Sequence, residues 1–588
     1  MGKYDALPLA DRGPIKVPYT GRALLNDSYY NKGTAFSHDE RHLLGLNGML
    51  PTNLQGLDLQ VARAYEQYST LETDLEKNTF MTSLAEQNCV LYYRLIQDHL
   101  KEMFSIIYTP TEGAAIENYS RIFRRPDGCF LPIAHPNEVE ERLSKFVVPE
   151  TDDGGIDYIV VSDGEQILGI GDQGVGGILI SIAKLALTTI CAGIHPNRTL
   201  AVVLDTGTNN KELLDDDLYL GYKNERIRGQ QYDDFVDSFV KGAKRLFPNA
   251  YIHFEDFGVH NARRLLDRYR EQYAVFNDDV QGTGCVTLAS IMAAAKLIDV
   301  KLGDLRVVSF GAGSAGTGIA EQISAAIATD AGISKEEAKK QMFLIDKQGL
   351  LLDSDDSLSI AQKPFAHPSS EWSESNAELK DLKALISKIK PHVLIGTSTV
   401  PGAFTEHAIR EMAKHVDQPI IFPLSNPTKL HEAQPKDLFE WTDGKALIAT
   451  GSPFPPVEHD GKKYEVAECN NSVCFPGIGL GCVLGRVKML TDEMLVAAVG
   501  QLADEAPAVK QNDPTKELCP GVEEVRNVSV KIAKGVLRQA GKDDLLGVKD
   551  VPLDNDKDLE EWIRAQMWQP EYRDLVLDEA KKTARADL

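Results

Sequence analysis

The chain of 588 residues is 43% hydrophobic and 26% charged, which is ordinary for a globular protein and long enough for several domains. Its formal net charge of -24 argues against non-specific nucleic-acid binding and against docking on an anionic membrane, because both need basic surface. The 8 cysteines include no C-x-x-C pair and residues 1–21 hold no apolar signal core, so a reduced cytosolic protein is expected, with the mitochondrial matrix as the alternative.

Helical patterning dominates residues 1–130, where few residues break the helical period. Within them, "FSIIY" is predicted as a short strand that ends in a core residue, Tyr108. From about Tyr158 onward, short apolar runs end in Gly, Asp, Asn or Pro and alternate with helical segments. This alternation predicts parallel sheets with crossover helices, whose ligands bind beyond the carboxyl ends of the strands. The C-terminal part is helical again, and Trp562 and Trp568 are predicted to be exposed for docking.

One lysine interrupts an apolar run, residues 178–192, in which nothing else is charged. Apolar residues occur on every face of this segment, which predicts a buried helix, too short and too interrupted to span a bilayer. Lys184 is then either a residue that extends to solvent at the helix edge or a lysine with a chemical role. Burial lowers the pKa of a lysine, which suits it to act as a base.

A glycine turn follows the apolar strand "LRVVSF" and opens a helix, whose free N–H groups favour a pyrophosphate. The predicted cofactor-binding residues of this G-x-G-x-x-G turn are Gly311, Gly313, Ser314, Ala315 and Gly316. The next strand ends in Asp346, which is placed to accept hydrogen bonds from the adenine ribose. No arginine follows Asp346 directly, which favours NAD, with NADP as the alternative. The structural alternative is a glycine turn that only packs a helix on a sheet.

Two predicted strands end in adjacent acids, Glu255 with Asp256 and Asp278 with Asp279. One amphipathic helix separates these strands, so both pairs are expected at the same edge of a parallel sheet. Carboxylates in one place repel one another unless a cation holds them, and oxygen ligands select Mg²⁺ or Mn²⁺. The alternative is that these acids cap helices or lie in exposed turns.

A dinucleotide, a divalent metal ion and a buried lysine together indicate oxidation of a 2-hydroxy acid with decarboxylation. The metal ion chelates the hydroxyl and carboxylate in this interpretation, and the nicotinamide accepts the hydride from C2. The chemistry needs a base for the hydroxyl and an acid that protonates the enol. Lys184 is the candidate base.

The sequence resembles the malic enzymes along most of its length. The matching stretches include "IIYTPTEGAAIENYSRIFRRP", "VVSDGEQILGIGDQGVGGILISIAKL", "FEDFGVHNARRLLDRYR", "FNDDVQGTG", "FGAGSAGTGIA", "PLSNPT" and "CNNSVCFPG". The resemblance implies an α/β fold with a Rossmann-type NAD-binding domain, a second parallel α/β domain for metal and substrate, and helical N- and C-terminal regions. We expect a helical region in 1–130, the substrate and metal domain in 131–280, the NAD-binding domain in 281–468, and in 469–588 a segment that completes the active site and a helical tail.

The resemblance also implies roles for individual residues. Tyr108 matches the family's general acid, and Lys184 matches its general base. The three metal ligands match Glu255, Asp256 and Asp279. Asp278 matches a residue of the catalytic site that lies beside the metal ion.

Three asparagines match positions that contact malate and the nicotinamide half of the cofactor: Asn426, Asn470 and Asn471. Their alternative is an ordinary role in turns. Gln166 stands where many members carry an arginine that binds the substrate carboxylate, and glutamine donates fewer hydrogen bonds and no charge. Gln362 occupies a site where NADP-preferring animal members carry lysine, which again favours NAD.

The activity expected from the resemblance is metal-dependent oxidative decarboxylation of (S)-malate to pyruvate and CO₂ with reduction of NAD. The alternative on the same scaffold is the malolactic reaction, which yields lactate and CO₂, because malolactic enzymes also lack the arginine at the position of Gln166. An alternative of another class is a non-catalytic NAD-binding scaffold, against which Tyr108, Lys184 and the three metal carboxylates argue. The resemblance further implies a homo-oligomer, either a dimer or a tetramer.

Overall fold

The computed structural model describes residues 3–4, 7–10, 12–148, 151, 153–373, 375, 377–426 and 428–578. The chain divides into two compact units, one formed by Met1–Ala250 with Glu561–Leu588 and the other by Tyr251–Glu560. The division into four parts that we expect from the sequence stays a prediction.

The N-terminal part of the first unit is helical and is tied to the end of the chain. Strand Ile15–Val17 pairs in parallel with Leu575–Leu577. A small apolar cluster packs around this pair, formed by Val17, Leu24, Phe36, Leu44, Leu46 and Leu575. The α-helices of the unit are Gly21–Leu25, His38–Leu43, Leu57–Ser69, Asp74–Gln87, Cys89–Asp98, Leu100–Ile107, Thr111–Glu117, Val139–Ser144, Ile178–Ala192, Lys211–Asp215 and Gln230–Leu246.

Three parallel strands of the first unit lie side by side, with Thr199–Asp205 between Cys129–Pro132 and Tyr158–Ser162. Helix Ile178–Ala192 packs on this sheet, and almost every residue of the helix is buried. The helix ends at Gly193, whose φ of 65° is a left-handed conformation that glycine adopts without steric cost. The buried helix predicted from the apolar run is confirmed.

Two predictions in this unit are wrong. The segment "FSIIY" lies in helix Leu100–Ile107, because Met103, Phe104 and Ile107 continue the apolar face of a helix. Trp562 and Trp568 are each only 3% exposed. The Trp568 ring packs edge-on against Tyr93, with centroids 5.4 Å apart, so a partner distant in the sequence buries it and it does not form the predicted docking surface.

The second unit contains a short parallel pair and a larger sheet. Tyr251–Phe254 pairs with Val275–Asn277, and Val259–Tyr269 is the helix that connects them. The seven-stranded sheet is parallel except for its last strand, which is antiparallel. Its order is Ala467–Glu468, Leu447–Thr450, Ile420–Pro423, Val393–Gly396, Val307–Phe310, Met342–Asp346 and Gly349–Leu350.

Strands and helices of the second unit share one apolar core. Val308, Leu394 and Ile421 from the sheet pack there with Leu385 and Ile409 from helices. The remaining strands form a hairpin, Val457–His459 with Lys462–Tyr464. The α-helices are Val259–Tyr269, Thr283–Leu297, Ser314–Ala331, Lys335–Lys339, Leu382–Ile389, Glu406–His415, Pro435–Trp441, Phe475–Gly485, Asp492–Asp504, Pro507–Gln511, Val525–Lys542 and Asp556–Arg564, the last of which runs into the first unit. Parallel sheets with crossover helices confirm the α/β fold class.

Two helical segments of the described chain are long and apolar enough to cross a membrane by length and composition alone, Gly174–Ala192 and Asp278–Leu297. In the structure 94% of the apolar window of the first and 78% of that of the second is buried inside the protein. Their hydropathy is therefore that of core helices packed against sheets and other helices.

Candidate active site

Lys184 and Tyr108, the residues predicted as base and acid, lie together in the first unit. Lys184 is 2% exposed and Tyr108 is 6% exposed. Lys184 Nζ lies 5.2 Å from the centroid of the Tyr108 ring, which is within the range of a cation–π contact. The alternative in which Lys184 extends to solvent at the helix edge is therefore wrong.

Tyr108 is held by the backbone at a junction between two helices. It follows helix Leu100–Ile107, and its carbonyl accepts a hydrogen bond of 2.8 Å from the N–H of Glu112. The Glu112 carboxyl is buried and accepts a hydrogen bond of 3.0 Å from Asn78 Nδ2. Burial raises the pKa of Glu112 to about 7, against the lowering effect of that hydrogen bond. A buried acid that titrates near neutral pH thus lies one helical turn from Tyr108.

Gln166 is exposed on a loop that charged side chains hold on both sides. Glu165 accepts two hydrogen bonds from Arg228, of 2.5 and 2.6 Å. Arg226 donates to both carboxylate oxygens of Asp172, each at 2.7 Å. Burial acts to raise the pKa of Asp172, but the hydrogen bonds from Arg226 outweigh it and leave the pKa below its ordinary value. These ion pairs fix the loop, while Gln166 itself presents a neutral amide.

Three carboxylates at the end of the short parallel pair lie within reach of one cation. Ligand oxygens of Glu255, Asp256 and Asp279 are all within 4.8 Å of one another, the first two residues being buried and the third exposed. The Asp256 N–H donates to Asp279 Oδ2 at 2.9 Å. Asp256 has a φ of 52°, a left-handed conformation that aspartate tolerates better than most residues. Because close like charges need a countercharge, this oxygen-only set fits Mg²⁺ or Mn²⁺.

A histidine that sequence reasoning missed adjoins these carboxylates. His253 Nε2 lies 2.8 Å from Glu255 Oε2, and its fully buried ring makes T-shaped contacts with Phe276 and with Phe475. Possible ligand atoms of His253, Glu255 and Asp278 also lie within 4.8 Å of one another. The sequence does carry a signal for this histidine, because His253 lies two residues before Glu255 and residues two apart on a strand share a face.

Asp278 is 1% exposed, and Asn471 and Gly282 lie directly against it. Asn471 Nδ2 donates to the Asp278 carbonyl at 3.3 Å and to Asp278 Oδ2 at 3.2 Å. A Cβ at Gly282 would lie 2.0 Å from Asp278 Oδ1, so a larger residue there would displace this carboxylate. The chain beyond residue 469 therefore contributes a side chain to the strand end that carries Asp278.

The glycine turn joins strand Val307–Phe310 to helix Ser314–Ala331. A Cβ at Gly311 would lie 2.5 Å from the Thr397 carbonyl carbon, and one at Gly316 would lie 2.0 Å from the Gly311 oxygen. At Gly313 a Cβ would meet nothing within 4 Å, so packing within the chain does not require glycine there. Gly313 and Ser314 are exposed and Ala315 is half-buried. Two of the glycines serve packing, and the third leaves open space at a helix N-terminus, which fits a phosphate group.

The acid at the end of the neighbouring strand is held in place by a glutamine. Strand Met342–Asp346 pairs in parallel with the strand before the glycine turn. Gln362 Nε2 donates to Asp346 Oδ2 at 2.9 Å and to the Ala312 carbonyl at 3.0 Å. Gln362 thereby ties the carboxylate of Asp346 to the turn.

Two of the predicted asparagines hold loops together. Asn426 Nδ2 donates to the Gly451 carbonyl at 2.9 Å, and its Oδ1 accepts from the Ser452 hydroxyl. Asn470 Oδ1 accepts from the Ser472 N–H at 3.0 Å, and Asn470 Nδ2 donates to Glu468 at 3.2 Å. The turn role considered from the sequence is thus present for both, and their contact with substrate or cofactor stays a prediction.

The helix that follows the glycine turn packs against the turn Asp278–Gly282, so the dinucleotide-type sheet and the carboxylate group belong to one arrangement within the second unit. A parallel sheet with a glycine turn, next to carboxylates that fit a divalent cation, defines a class: a dinucleotide-binding α/β protein with a metal site beside the strand ends.

Comparison with known proteins identifies the family. The chain matches the malic enzyme N-terminal domain over residues 85–270 and the malic enzyme NAD binding domain over residues 280–541. It is 49% identical to the mitochondrial NAD-dependent malic enzyme of Saccharomyces cerevisiae, covering 97% of this chain and 86% of that protein. It is 46% identical to the NAD-dependent malic enzyme of Schizosaccharomyces pombe, covering 97% of this chain and 100% of that protein. The chain belongs to the malic enzyme family, which confirms the resemblance seen in its sequence.

The fold is also similar to that of a solved structure. The crystal structure of malic enzyme from Pyrococcus horikoshii matches with a TM-score of 0.51 at 22% identity, covering 79% of this chain and 89% of that one. At this level of identity the match supports the fold alone.

Proposed function

We propose that this protein catalyses metal-dependent oxidative decarboxylation of (S)-malate to pyruvate and CO₂ with reduction of NAD. The observation that carries the proposal is the buried pair of Lys184 and Tyr108, with Nζ 5.2 Å from the ring centroid. The curated relatives at 49% and 46% identity are named NAD-dependent malic enzymes, which supports the same activity.

In this proposal Lys184 is the base and Tyr108 the acid. Lys184 Nζ accepts the proton of the malate C2 hydroxyl. Loss of CO₂ leaves an enolate, because Lys184 has taken the hydroxyl proton, and Tyr108 donates its phenolic proton to the carbon from which CO₂ has left, which gives pyruvate. Exclusion of water from both side chains protects these proton transfers.

Glu255, Asp256 and Asp279 would hold the divalent ion, with Asp278 beside them. When bound, the ion supplies Lewis acidity at the substrate oxygens and NAD supplies the hydride acceptor. Asn471 orients Asp278 through the two hydrogen bonds to it. We assign malate contacts to Gln166, Asn426, Asn470 and Asn471.

We propose NAD over NADP because Asp346, which Gln362 ties to the glycine turn, would accept hydrogen bonds from the hydroxyls of the adenine ribose. We expect Asp346→Asn to raise the ratio of kcat/KM for NADP to that for NAD by about 10- to 100-fold, since a charge-assisted hydrogen bond is worth about 1.5–3 kcal/mol. Steady-state kinetics with both cofactors measure this ratio. The exposed Asp356→Asn is the matched control, and an unchanged ratio in the Asp346 variant contradicts the assignment.

The function is tested by measuring the ratio of NADH to pyruvate that forms from malate. Purified protein with malate, Mn²⁺ and NAD should form NADH and pyruvate in equal amounts, followed by absorbance and by a parallel assay of pyruvate and lactate. Lactate without net NADH would make the protein a malolactic enzyme, and formation of neither product with NAD or NADP would leave a non-catalytic scaffold.

The remaining expectations follow the family. We propose a homo-oligomer, a dimer or tetramer, to be measured by sedimentation. We place the protein in the cytosol. The alternative is the mitochondrial matrix, because the Saccharomyces cerevisiae relative is named a mitochondrial enzyme.

A further inference from the structure

One buried carboxylate links two loops at the carboxyl ends of the large sheet. Glu432 is 0% exposed. Its Oε1 accepts hydrogen bonds from the Ser398 N–H at 2.9 Å, from the Ser398 hydroxyl at 2.8 Å and from the Ser425 hydroxyl at 2.5 Å. Ser398 follows strand Val393–Gly396 and Ser425 follows Ile420–Pro423, which are neighbours in the sheet. We call Glu432, Ser398 and Ser425 the Glu432 clamp.

The clamp is connected to the glycine turn by direct contacts. Thr397, the residue before Ser398, donates from its hydroxyl to the Gly311 carbonyl at 2.9 Å. Its N–H donates to the Phe310 carbonyl at 2.8 Å. Gly311 has no room for a Cβ because the Thr397 carbonyl carbon would lie 2.5 Å away. A shift of the Ser398 loop therefore moves the surface against which the glycine turn is packed.

The other arm of the clamp reaches the loop that carries a predicted cofactor residue. Ser425 Oγ accepts from the Thr399 N–H at 2.9 Å, so the two loops are also bonded to each other. Asn426 is the next residue after Ser425. The clamp thus sets the separation of the glycine turn from the Asn426 loop.

The backbone leaves a space for this carboxylate. A Cβ at Gly396 would lie 2.4 Å from Glu432 Cδ and 2.5 Å from Oε2. All three atoms nearest to that Cβ position belong to Glu432, so a side chain at residue 396 would meet the Glu432 carboxylate first. Oε1 accepts all three hydrogen bonds of the clamp, whereas the buried Oε2 has no hydrogen-bond partner among the described residues. Burying a carboxylate in this way is costly, so we take its bonds to two separate loops as the sign of a positional role.

We propose that Glu432 is a positioning residue for the dinucleotide: it holds the Ser398 and Ser425 loops at the spacing that the cofactor requires. The inference rests on the proposed use of NAD. It assigns to Glu432 no contact with the cofactor and no part in the metal site.

The test is binding of NAD to the full-length protein, measured by calorimetry, with binding of Mn²⁺ measured in parallel. We expect Glu432→Ala to weaken NAD binding about 10-fold or more, because a small misplacement of binding groups is costly, and to leave the Kd for Mn²⁺ within about 2-fold. Glu432→Gln keeps an oxygen that accepts from both serines and should bind NAD within about 3-fold of wild type. The exposed Glu440→Ala, on the next helix, is the matched control.

A double-mutant cycle separates positioning from a general loss of stability. Gly396→Ala should weaken NAD binding in the wild-type chain, because its methyl group displaces the Glu432 carboxylate. In the Glu432→Ala background the same change should cost little, so the two effects are strongly non-additive. If Glu432→Ala fails to fold, Ser425→Ala takes its place. This change removes one hydroxyl that donates to Glu432 and should also weaken NAD binding.

The outcomes are distinct. If the wild-type protein does not bind NAD, the proposed function fails before the variants are compared. If wild type binds NAD and folded Glu432→Ala or Ser425→Ala binds it equally well, the clamp has no positioning role. Equal weakening of NAD and Mn²⁺ binding, or additive effects in the cycle, would also overturn the proposal in favour of a purely structural role.

Discussion

Removing the Lys184 amine should lower kcat by about 10²- to 10⁴-fold, the contribution typical of a general base. Lys184→Met is the preferred change, because it keeps an unbranched side chain in the buried helix and avoids a cavity. Binding of NAD should stay within about 2-fold, since the proposed role of Lys184 is proton transfer with malate and not binding of the dinucleotide. Rapid-quench measurement of malate turnover checks the first effect, and calorimetry with NAD checks the second.

Tyr108→Phe is the companion experiment. It keeps the ring over which Lys184 Nζ lies and removes only the phenolic hydroxyl. We expect kcat to fall about 10²-fold, because the enol of pyruvate loses its proton donor. The control is Lys241→Ala, an exposed lysine on another helix of the same unit. Normal turnover in Lys184→Met would remove the acid–base assignment, whatever the behaviour of the tyrosine variant.

Loss of one carboxylate from the group Glu255, Asp256 and Asp279 should strongly weaken the binding of a divalent cation. Loss of a hydrogen bond to a metal ligand already weakens metal binding about 10- to 100-fold, and loss of the ligand itself should cost more. Asp279→Asn is the mildest form of this change, since it removes a charge and keeps the shape. Titration of the protein with Mn²⁺, followed by electron paramagnetic resonance, measures the Kd without turnover. Chelation should abolish NADH formation in the wild type, and Mn²⁺ or Mg²⁺ should restore it.

The exposed Asp267→Asn is the control, because Asp267 pairs with Arg263 on the helix between the two acidic strand ends. An unchanged Kd for Mn²⁺ in Asp279→Asn would show that the three carboxylates do not form the cation site. Activity that survives thorough chelation would contradict a metal-dependent reaction altogether.

Local pattern explains which predictions succeeded. The apolar run around Lys184 is hydrophobic on every face, so its burial and helical form follow from the sequence. The acidic pairs follow strands joined by one short helix, which restricts them to neighbouring parallel strands. The glycine turn has a fixed local context of strand and helix, and both are present.

Local pattern also explains the errors. "FSIIY" is too short for its period to separate strand from helix, and the continuing helix before it decides the outcome. The burial of Trp568 depends on Tyr93, which no local window contains. His253 lies two residues before Glu255, at the spacing that places side chains on one face of a strand, so a local signal for it exists in the sequence.

The sequence by itself determined the α/β class, the glycine turn, the acidic strand ends and the family, because each depends on spacing within a short stretch of chain. Only the tertiary structure decided which distant side chains meet. It placed Lys184 over Tyr108, brought Asn471 to Asp278 across 193 residues, and closed Glu432 on Ser398 and Ser425. The reason is physical: a helix or turn is selected by neighbours along the chain, whereas such contacts exist only after the sheets and helices have packed.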